Sequence, residues 1–427
     1  MQQRSIAIVA GIRTPIGKAD GALAELDAPT LGTLALRELL ARSPAAPEAV
    51  IIGNVIQPSN AANIARVIAL RAGVDRAVPA HTVQRNCASG MQAVTDAAML
   101  IASGRAEVVA AGGVESMTHA PLLFHDEVRR ALARRRRSRG SPPLSSIPRE
   151  LARILPRLKP RAALIEGLTD PVARMNMGQT AELLADEFAI SREMQDAFAL
   201  ESHQRAVRAR EEGWLDAEQM TLFPPPDYTP FRRDEGIRPQ QNMEELARLK
   251  PVFSRPLGTV TAGNSSQISD GAAMLMLADP RRAKAEGWPV LGYIHDWHYA
   301  GCDPERMGLG PLFACHRLLG RHGLTMAEMS RVEINEAFAA QILALLAAME
   351  SKTFHQRHGL GAPLGAPERD RLNIWGGAIA IGHPVGMTGA RLILSLCHQL
   401  RAAPGLALAT LCIGGGQGGA VLLGSEP

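Results

Sequence analysis

Twice in this chain of 427 residues a strand, a tight turn and a helix follow one another in the same way. His81–Val94 (HTVQRNCASGMQAV) and Arg331–Leu343 (RVEINEAFAAQIL) form that pair. Twice, too, a glycine-rich turn runs straight into an apolar strand, at Gly263–Leu277 (GNSSQISDGAAMLML) and Cys412–Leu423 (CIGGGQGGAVLL). Units that recur in outline imply a duplicated body with a site where the halves meet. The intervening pattern alternates strand and helix. Ser5–Ala10, Ala49–Val55 and Val108–Ala111 read as strands and Leu31–Ala41 as a helix. Asn86–Ser103 reads as a helix because Met91, Val94, Ala98 and Ile101 fall on one face. The expected class is therefore α/β with mainly parallel or mixed sheets. An apolar content of 46% with only 4% aromatic residues supplies an aliphatic core and excludes general disorder.

Charge is distributed unevenly. Residues 129–161 hold twelve Arg or Lys and one acid, Glu150, a local balance of +11, which leaves the rest of the chain at −7. Around this segment, from about 120 to 250, prolines punctuate the chain and helices are expected at Met175–Glu187 and Ser191–Glu211. The stretch reads as an insertion between two core strands. Leu151, Ile154, Leu155 and Leu158 lie opposite Arg149, Arg153 and Arg157, as in a basic surface element interrupted by Pro156. Contact with an anionic membrane or a partner subunit is one expectation for 129–161, a solvated loop the other. No aromatic residues interleave with the arginines, so nucleic acid is not expected.

Five cysteines with no CxxC pair give neither a disulfide framework nor a zinc signature. The N-terminus does not read as a secretory signal, and Asn373–Ala390 and Gly405–Ser425 are too broken by glycine to span a membrane. A cytoplasmic, reducing setting is expected.

Three residues stand in unusual contexts. Cys87 sits where a strand turns into a helix, followed by Ala88, Ser89 and Gly90; a helix N-terminus favours the thiolate, and small neighbours leave backbone N–H groups open to an oxyanion. His383 lies between Gly382 and Pro384 in a glycine-crowded loop that suits a base for a thiol. Cys412 precedes glycines whose N–H groups can converge on one point. On position alone a buried structural role is the commoner one for a cysteine or histidine such as Cys87 or His383. Asn335 could cap the helix that follows it or orient a water or carbonyl oxygen. The formal GxGxxG at Gly414–Gly419 runs into a strand instead of opening a helix, so it is no dinucleotide fingerprint.

Taken together, NCASGMQA, NEAFA, GGAIAIGHPVGMTGAR and TLCIGGGQGG resemble, in order and spacing, the motifs of the thiolases, the acyl-CoA C-acyltransferases; TAGNSSQISDGAA and GGVESM add to the likeness. The resemblance implies two similar βαβαβαββ halves in a layered αβαβα core. Residues 1–280, with the inserted loop domain at about 120–250, would form the first half and 281–427 the second. It implies that Cys87 is the acyl-accepting nucleophile, that His383 takes its proton, and that Cys412 is the second acid/base. Asn335 would fix a water with His383 in one oxyanion hole, and the N–H groups of Cys87 and Gly414 would form another. Met177, Phe253, Ala262, Ser266 and Phe338 look like pantetheine and acyl contacts.

The same likeness implies ping-pong cleavage of 3-ketoacyl-CoA by CoA in fatty acid β-oxidation, without metal or cofactor, CoA being a substrate. A biosynthetic acetoacetyl-CoA-forming enzyme or a non-catalytic acyl-CoA-binding scaffold is the alternative. A homodimer or homotetramer is expected, with a hydratase/dehydrogenase subunit as a further partner. Several stretches, among them SREMQDAFALESHQRA and LGPLFAC, resemble the β-subunit of the trifunctional fatty-acid-oxidation complex. That subgroup typically has His where this chain has Asn335, and Gln267 stands where shorter-chain thiolases commonly have glycine.

Overall fold

The computed structural model describes residues 5–137 and 158–427. The stripe and arginines expected to form a basic surface element at 149–157 lie outside the described residues. By its contacts the chain divides into two units, one of Met1–His119 with Asp170–Pro427, the other Ala120–Thr169. The insertion read over about 120–250 spans the second unit and a stretch, 170–250, that is compact with the first. In the second unit, Leu122–Leu123 pairs antiparallel with Arg161–Ala162, and a helix over Asp126–Arg137 begins with Asp126 accepting from Arg129 and Arg130.

In the first unit the strands follow the alternation of their side chains. In chain order the elements are β1 (Ile6–Arg13), α1 (Ala28–Arg42), β2 (Ala49–Gly53), α2 (Ile64–Ala72), β3 (Ala80–Val83), α3 (Ser89–Ala102) and β4 (Val108–Ser116). Next come α4 (Met177–Glu187), α5 (Arg192–Glu211) and β5 (Ser269–Ala278). The second half follows with β6 (Gly292–Gly301), α6 (Gly310–His322), β7 (Met329–Ile334), α7 (Ala339–Glu350), α8 (Val385–Ala402), β8 (Leu406–Ile413) and β9 (Gln417–Gly424). Strand order is β7-β8-β9-β6-β1-β5-β4-β2-β3. Each half places its first strand beside its last, then its next-to-last, then its second, and the two first strands join at Ile6–Ile8 against Gly292–Ile294. In the second half the third strand is reduced to one parallel bridge, Val332 to Leu372.

Successive residues point to opposite faces of a strand, and the two faces enter different cores. Ala273, Leu275 and Leu277 of β5, with Val421 and Leu423 of β9, face a central layer made of α3 and α8. Met274 and Met276 face α1 and α2. Leu408 and Leu422 face α6 and α7. The layers are thus helix, sheet, helix, sheet, helix, the thiolase arrangement. α8 buries Leu392, Ile393, Leu394, Leu396 and Leu400, each contributing ~1.5–3 kcal/mol.

Two boundaries differ from the sequence reading. The strand expected over Val108–Ala111 continues through Gly112 and Gly113 to Ser116. Only glycine fits there, because a Cβ on Gly113 would overlap the Gly386 carbonyl oxygen. The helix expected from Asn86 begins at Ser89, because Asn86 adopts φ +43° in the left-handed region and forms a tight turn first. No helix among the described residues is long and apolar enough to cross a membrane.

Candidate active site

α3 and α8 start side by side at the centre of the molecule. Their approach is backbone to backbone: a Cβ on Gly90 would lie 2.7 Å from Gly386 O, and one on Gly389 2.5 Å from Met91 N. Cys87 stands just before α3, and His383 just before α8. The two occupy the same place in their halves, between the third strand position and the third helix.

The Cys87 turn is pinned by Ser89 Oγ, which accepts from Arg85 N at 2.9 Å and donates to Asn86 O at 2.7 Å. Asn86 Nδ2 then donates to Gly414 O at 2.7 Å, tying the cysteine turn to the Gly414–Gly416 turn between β8 and β9. The N–H groups of Gly414 and of Cys87 itself face the sulfur and pull its pKa down, but burial dominates and pushes the thiol up, and the charge of Glu115 adds to it. Desolvation thus opposes the effect expected of the helix N-terminus.

His383 is buried, entered through Gly382 at φ +105°. Its Nδ1 lies 2.7 Å from Thr388 Oγ1, whose single proton is donated to Pro384 O at 3.0 Å. The hydroxyl therefore accepts, Nδ1 carries the proton, and Nε2 presents a lone pair. Asn335 Nδ2 lies 3.3 Å from that Nε2. Burial, with Arg391 nearby, lowers the imidazole pKa to about 3, so the ring is neutral and free to accept a proton. Asn335 does not cap the helix after it; α7 starts at Ala339 with Phe338 in the cap position. Its Oδ1 is buried with no hydrogen-bond partner among the described residues.

Cys412 points into an apolar cluster with Phe338, Ala337, Val260 and Met307, against which Met177 and Phe253 pack. Burial first, then the charge of Cys87, push its thiol up, so it holds its proton at neutral pH. Phe253 and Phe338 meet edge to face with centroids 5.9 Å apart. Met177 begins α4 behind an Asn176/Gln179 capping box, and its Sδ lies 3.4 Å from where a Cβ on Gly414 would be. Ser266 N donates to Ala337 O at 2.9 Å, and Ala262 is exposed nearby in sequence. The structure thus gathers Cys87, Gly414, Met177, Cys412, Phe338 and Phe253 in one chain of contacts, with the His383–Asn335 pair at the start of the adjoining helix.

Four supporting residues were not singled out from sequence, although each sits inside a quoted motif. Thr388 sets the imidazole tautomer. Glu336 accepts from Ser202 at 2.6 Å, Asn373 at 2.8 Å and Ile379 N at 3.3 Å. Arg391 pairs with Glu333 at 3.1 Å in the core. Glu115 accepts from Gly386 N at 3.0 Å. Among the described residues no group of three or more His, Cys, Asp or Glu could hold a metal ion.

A thiol nucleophile beside backbone N–H donors, a neutral imidazole with its Nε2 lone pair presented, and a second thiol that keeps its proton define an acyl-transfer site. The thiolase N-terminal domain model matches residues 6–281 and the C-terminal domain model 288–425, so the chain belongs to the thiolase family and is an acyl-CoA C-acyltransferase. A 3-ketoacyl-CoA thiolase of Yersinia pestis (strain Pestoides F) is 37% identical over 427 residues, 99% of this chain and 97% of the relative. Among solved structures, the Bacillus anthracis acetyl-CoA acetyltransferase superposes with a TM-score of 0.84 at 36% identity, covering 99% of each chain. Human mitochondrial 3-ketoacyl-CoA thiolase does so at 0.84 and 35%, covering 100% of each chain; a structure of it in complex with CoA gives 0.83.

Proposed function

We propose that the chain cleaves 3-ketoacyl-CoA with CoA, yielding acetyl-CoA and an acyl-CoA two carbons shorter, in the degradative direction of fatty acid β-oxidation. His383 Nε2 takes the Cys87 proton as the sulfur attacks C3. The C2–C3 bond breaks, and Cys412 donates its proton to C2 of the departing enolate. Incoming CoA gives its thiol proton to Cys412 and attacks the Cys87 thioester, and His383 returns the first proton to Cys87. The N–H groups of Cys87 and Gly414 receive one developing oxyanion, and Asn335 with His383 fixes a water for the other. Met177, Phe253, Ala262, Ser266 and Phe338 hold the pantetheine and acyl chain. No metal or cofactor takes part.

The observation that carries this reading is geometric: Cys87 is tied through Asn86 to Gly414, beside Met177 and the Cys412 cluster, while the Thr388 contact puts the His383 proton on Nδ1 and leaves Nε2 as the base. The name of the Bacillus anthracis neighbour favours a second reading, acetoacetyl-CoA formation by the same residues in reverse. The proposed division into halves 1–280 and 281–427 is supported by the spans of the two family models. The reading takes the protein as a cytoplasmic homo-oligomer, where Cys87 and Cys412 stay reduced; a hydratase/dehydrogenase subunit and an anionic membrane contact through 129–161 belong to the same proposal. Mass spectrometry after incubation with 3-ketoacyl-CoA should find an acyl adduct on Cys87 that is absent in Cys87→Ser. Lack of an adduct in the unaltered protein would leave only the scaffold role, and comparing acetoacetyl-CoA with longer substrates would assign chain length.

A further inference from the structure

The internal repeat places a twin of the reactive corner elsewhere in the molecule. Gly53 and Ile334 each end the second strand of their half, so Asn54 corresponds to Asn335. Gly53 is in register with Gly113 and Ile334 with Thr410; two residues on, Glu115 therefore corresponds to Cys412. Both face a glycine on the last strand of their half, Gly271 and Gly418. One corner keeps a thiol. Its twin holds a carboxylate, fully buried, with four N–H donors.

Glu115 Oε1 accepts from Asn54 Nδ2 and Ile56 N, both at 3.0 Å, and Oε2 accepts from Val55 N and Gly386 N, both at 3.0 Å. Three of these donors lie just after β2; the fourth is in the first turn of α8, three residues beyond His383. First-turn N–H groups have no partner within their own helix, so the Gly386 bond is where α8 is fastened to the first half. The fit is close: a Cβ on Gly386 would lie 2.7 Å from Glu115 Oε2 and 3.1 Å from Asn54 Cα. Burial lifts this carboxyl to about 7 despite the donors, and Asp270 adds to the rise. A buried charge is expensive to keep, and a packing role alone would be met by an apolar side chain.

We propose that Glu115 is a positioning residue: its carboxylate clamps the start of α8 onto the Asn54–Ile56 segment and thereby fixes the His383 imidazole for its part in acyl transfer. The proposal rests on the thiolysis reading for the reaction, but not for the clamp. In Glu115→Gln two of the four donors would face an amide N–H₂. The fold should survive by circular dichroism, Cys87 should still be alkylated by iodoacetamide, KM should stay within about 3-fold, and kcat should fall on the order of 100-fold, the scale of a 1 Å misplacement. Glu115→Asp, which keeps the charge, should recover part of kcat.

A folded Glu115→Gln variant with kcat within 3-fold of the parent would overturn the clamp. So would a kcat loss matched by an equal loss of Cys87 alkylation, which marks general collapse. If neither variant folds, hydrogen exchange in the unaltered protein decides. A Gly386 amide protected as strongly as mid-helix amides of α8 supports the clamp, and one exchanging like a free first-turn amide rejects it. Should the unaltered protein form no acyl adduct while Gly386 is protected, the thiolysis reading fails and the clamp stands.

Discussion

Titrating the reactivity of Cys87 tests the charge state on which the catalytic reading depends. A thiol at a helix start beside a histidine has two resting forms, neutral thiol with neutral imidazole or thiolate with imidazolium. Here burial raises the thiol above its ordinary 9.0 and lowers the imidazole to about 3, a gap of at least about 6 pH units. At about 1.4 kcal/mol per unit, moving the proton in the free protein costs about 8 kcal/mol. A charge pair even as close as ~4 Å in an effective dielectric of ~20 would return about 4 kcal/mol. Neutral forms therefore win by roughly a thousandfold. The assay is the rate of iodoacetamide alkylation of Cys87 in the protein without CoA esters, with the modified peptide located by mass spectrometry. Only thiolate reacts, so the rate should climb about tenfold per pH unit from 6 through 9. A plateau between pH 5 and 8 would show a preformed ion pair and refute the reasoning.

Three further outcomes are expected. Cys412→Ser should still let a pre-activated thioester acylate Cys87 while stopping turnover of 3-ketoacyl-CoA, because the departing enolate needs the Cys412 proton and an activated thiolate leaves without one; stopped-flow release of the activated thiol against steady-state thiolysis separates the two. Gly113→Ala should destabilise the fold by more than the ~1–3 kcal/mol of ordinary overpacking, because the added Cβ meets the Gly386 carbonyl and no rotamer relieves it. Gly320→Ala, exposed in α6 with nothing within 4 Å, should leave the melting temperature unchanged or raise it, by up to about 1 kcal/mol in stability.

Much of the site was legible because its chemistry is local. Cys87, Cys412 and Asn335 stand at or near the end of a strand and His383 in the turn before α8, and glycines crowd three of those turns. Short apolar runs revealed the strands, and the recurrence of strand, turn and helix revealed the halves. Long-range relations were not legible. Nothing in GGVESM says that Glu115 meets an N–H some 270 residues later, since hydrogen-bond partners leave no periodic trace. The continuation of β4 through Gly112 and Gly113 was hidden because paired glycines read as a turn, whereas here they make room for another backbone. The upward push on the Cys87 thiol was not legible because a helix start is visible in sequence and the desolvation of the site around it is not. The second half's missing third strand escaped notice for a related reason: one bridge at Leu372 satisfies the sheet without a run of apolar residues.

The crossing of α3 and α8 has a bearing on how such an enzyme can diversify. Where two helices touch through bare main chain, no side chain remains whose exchange could shift one against the other, and sheets enclose the pair on both sides. Drift in amino acid identity is thus pushed outward, to the outer helices and the connecting loops. Adaptation to longer or shorter fatty chains must be written in those peripheral segments, leaving the reacting atoms in an unaltered frame.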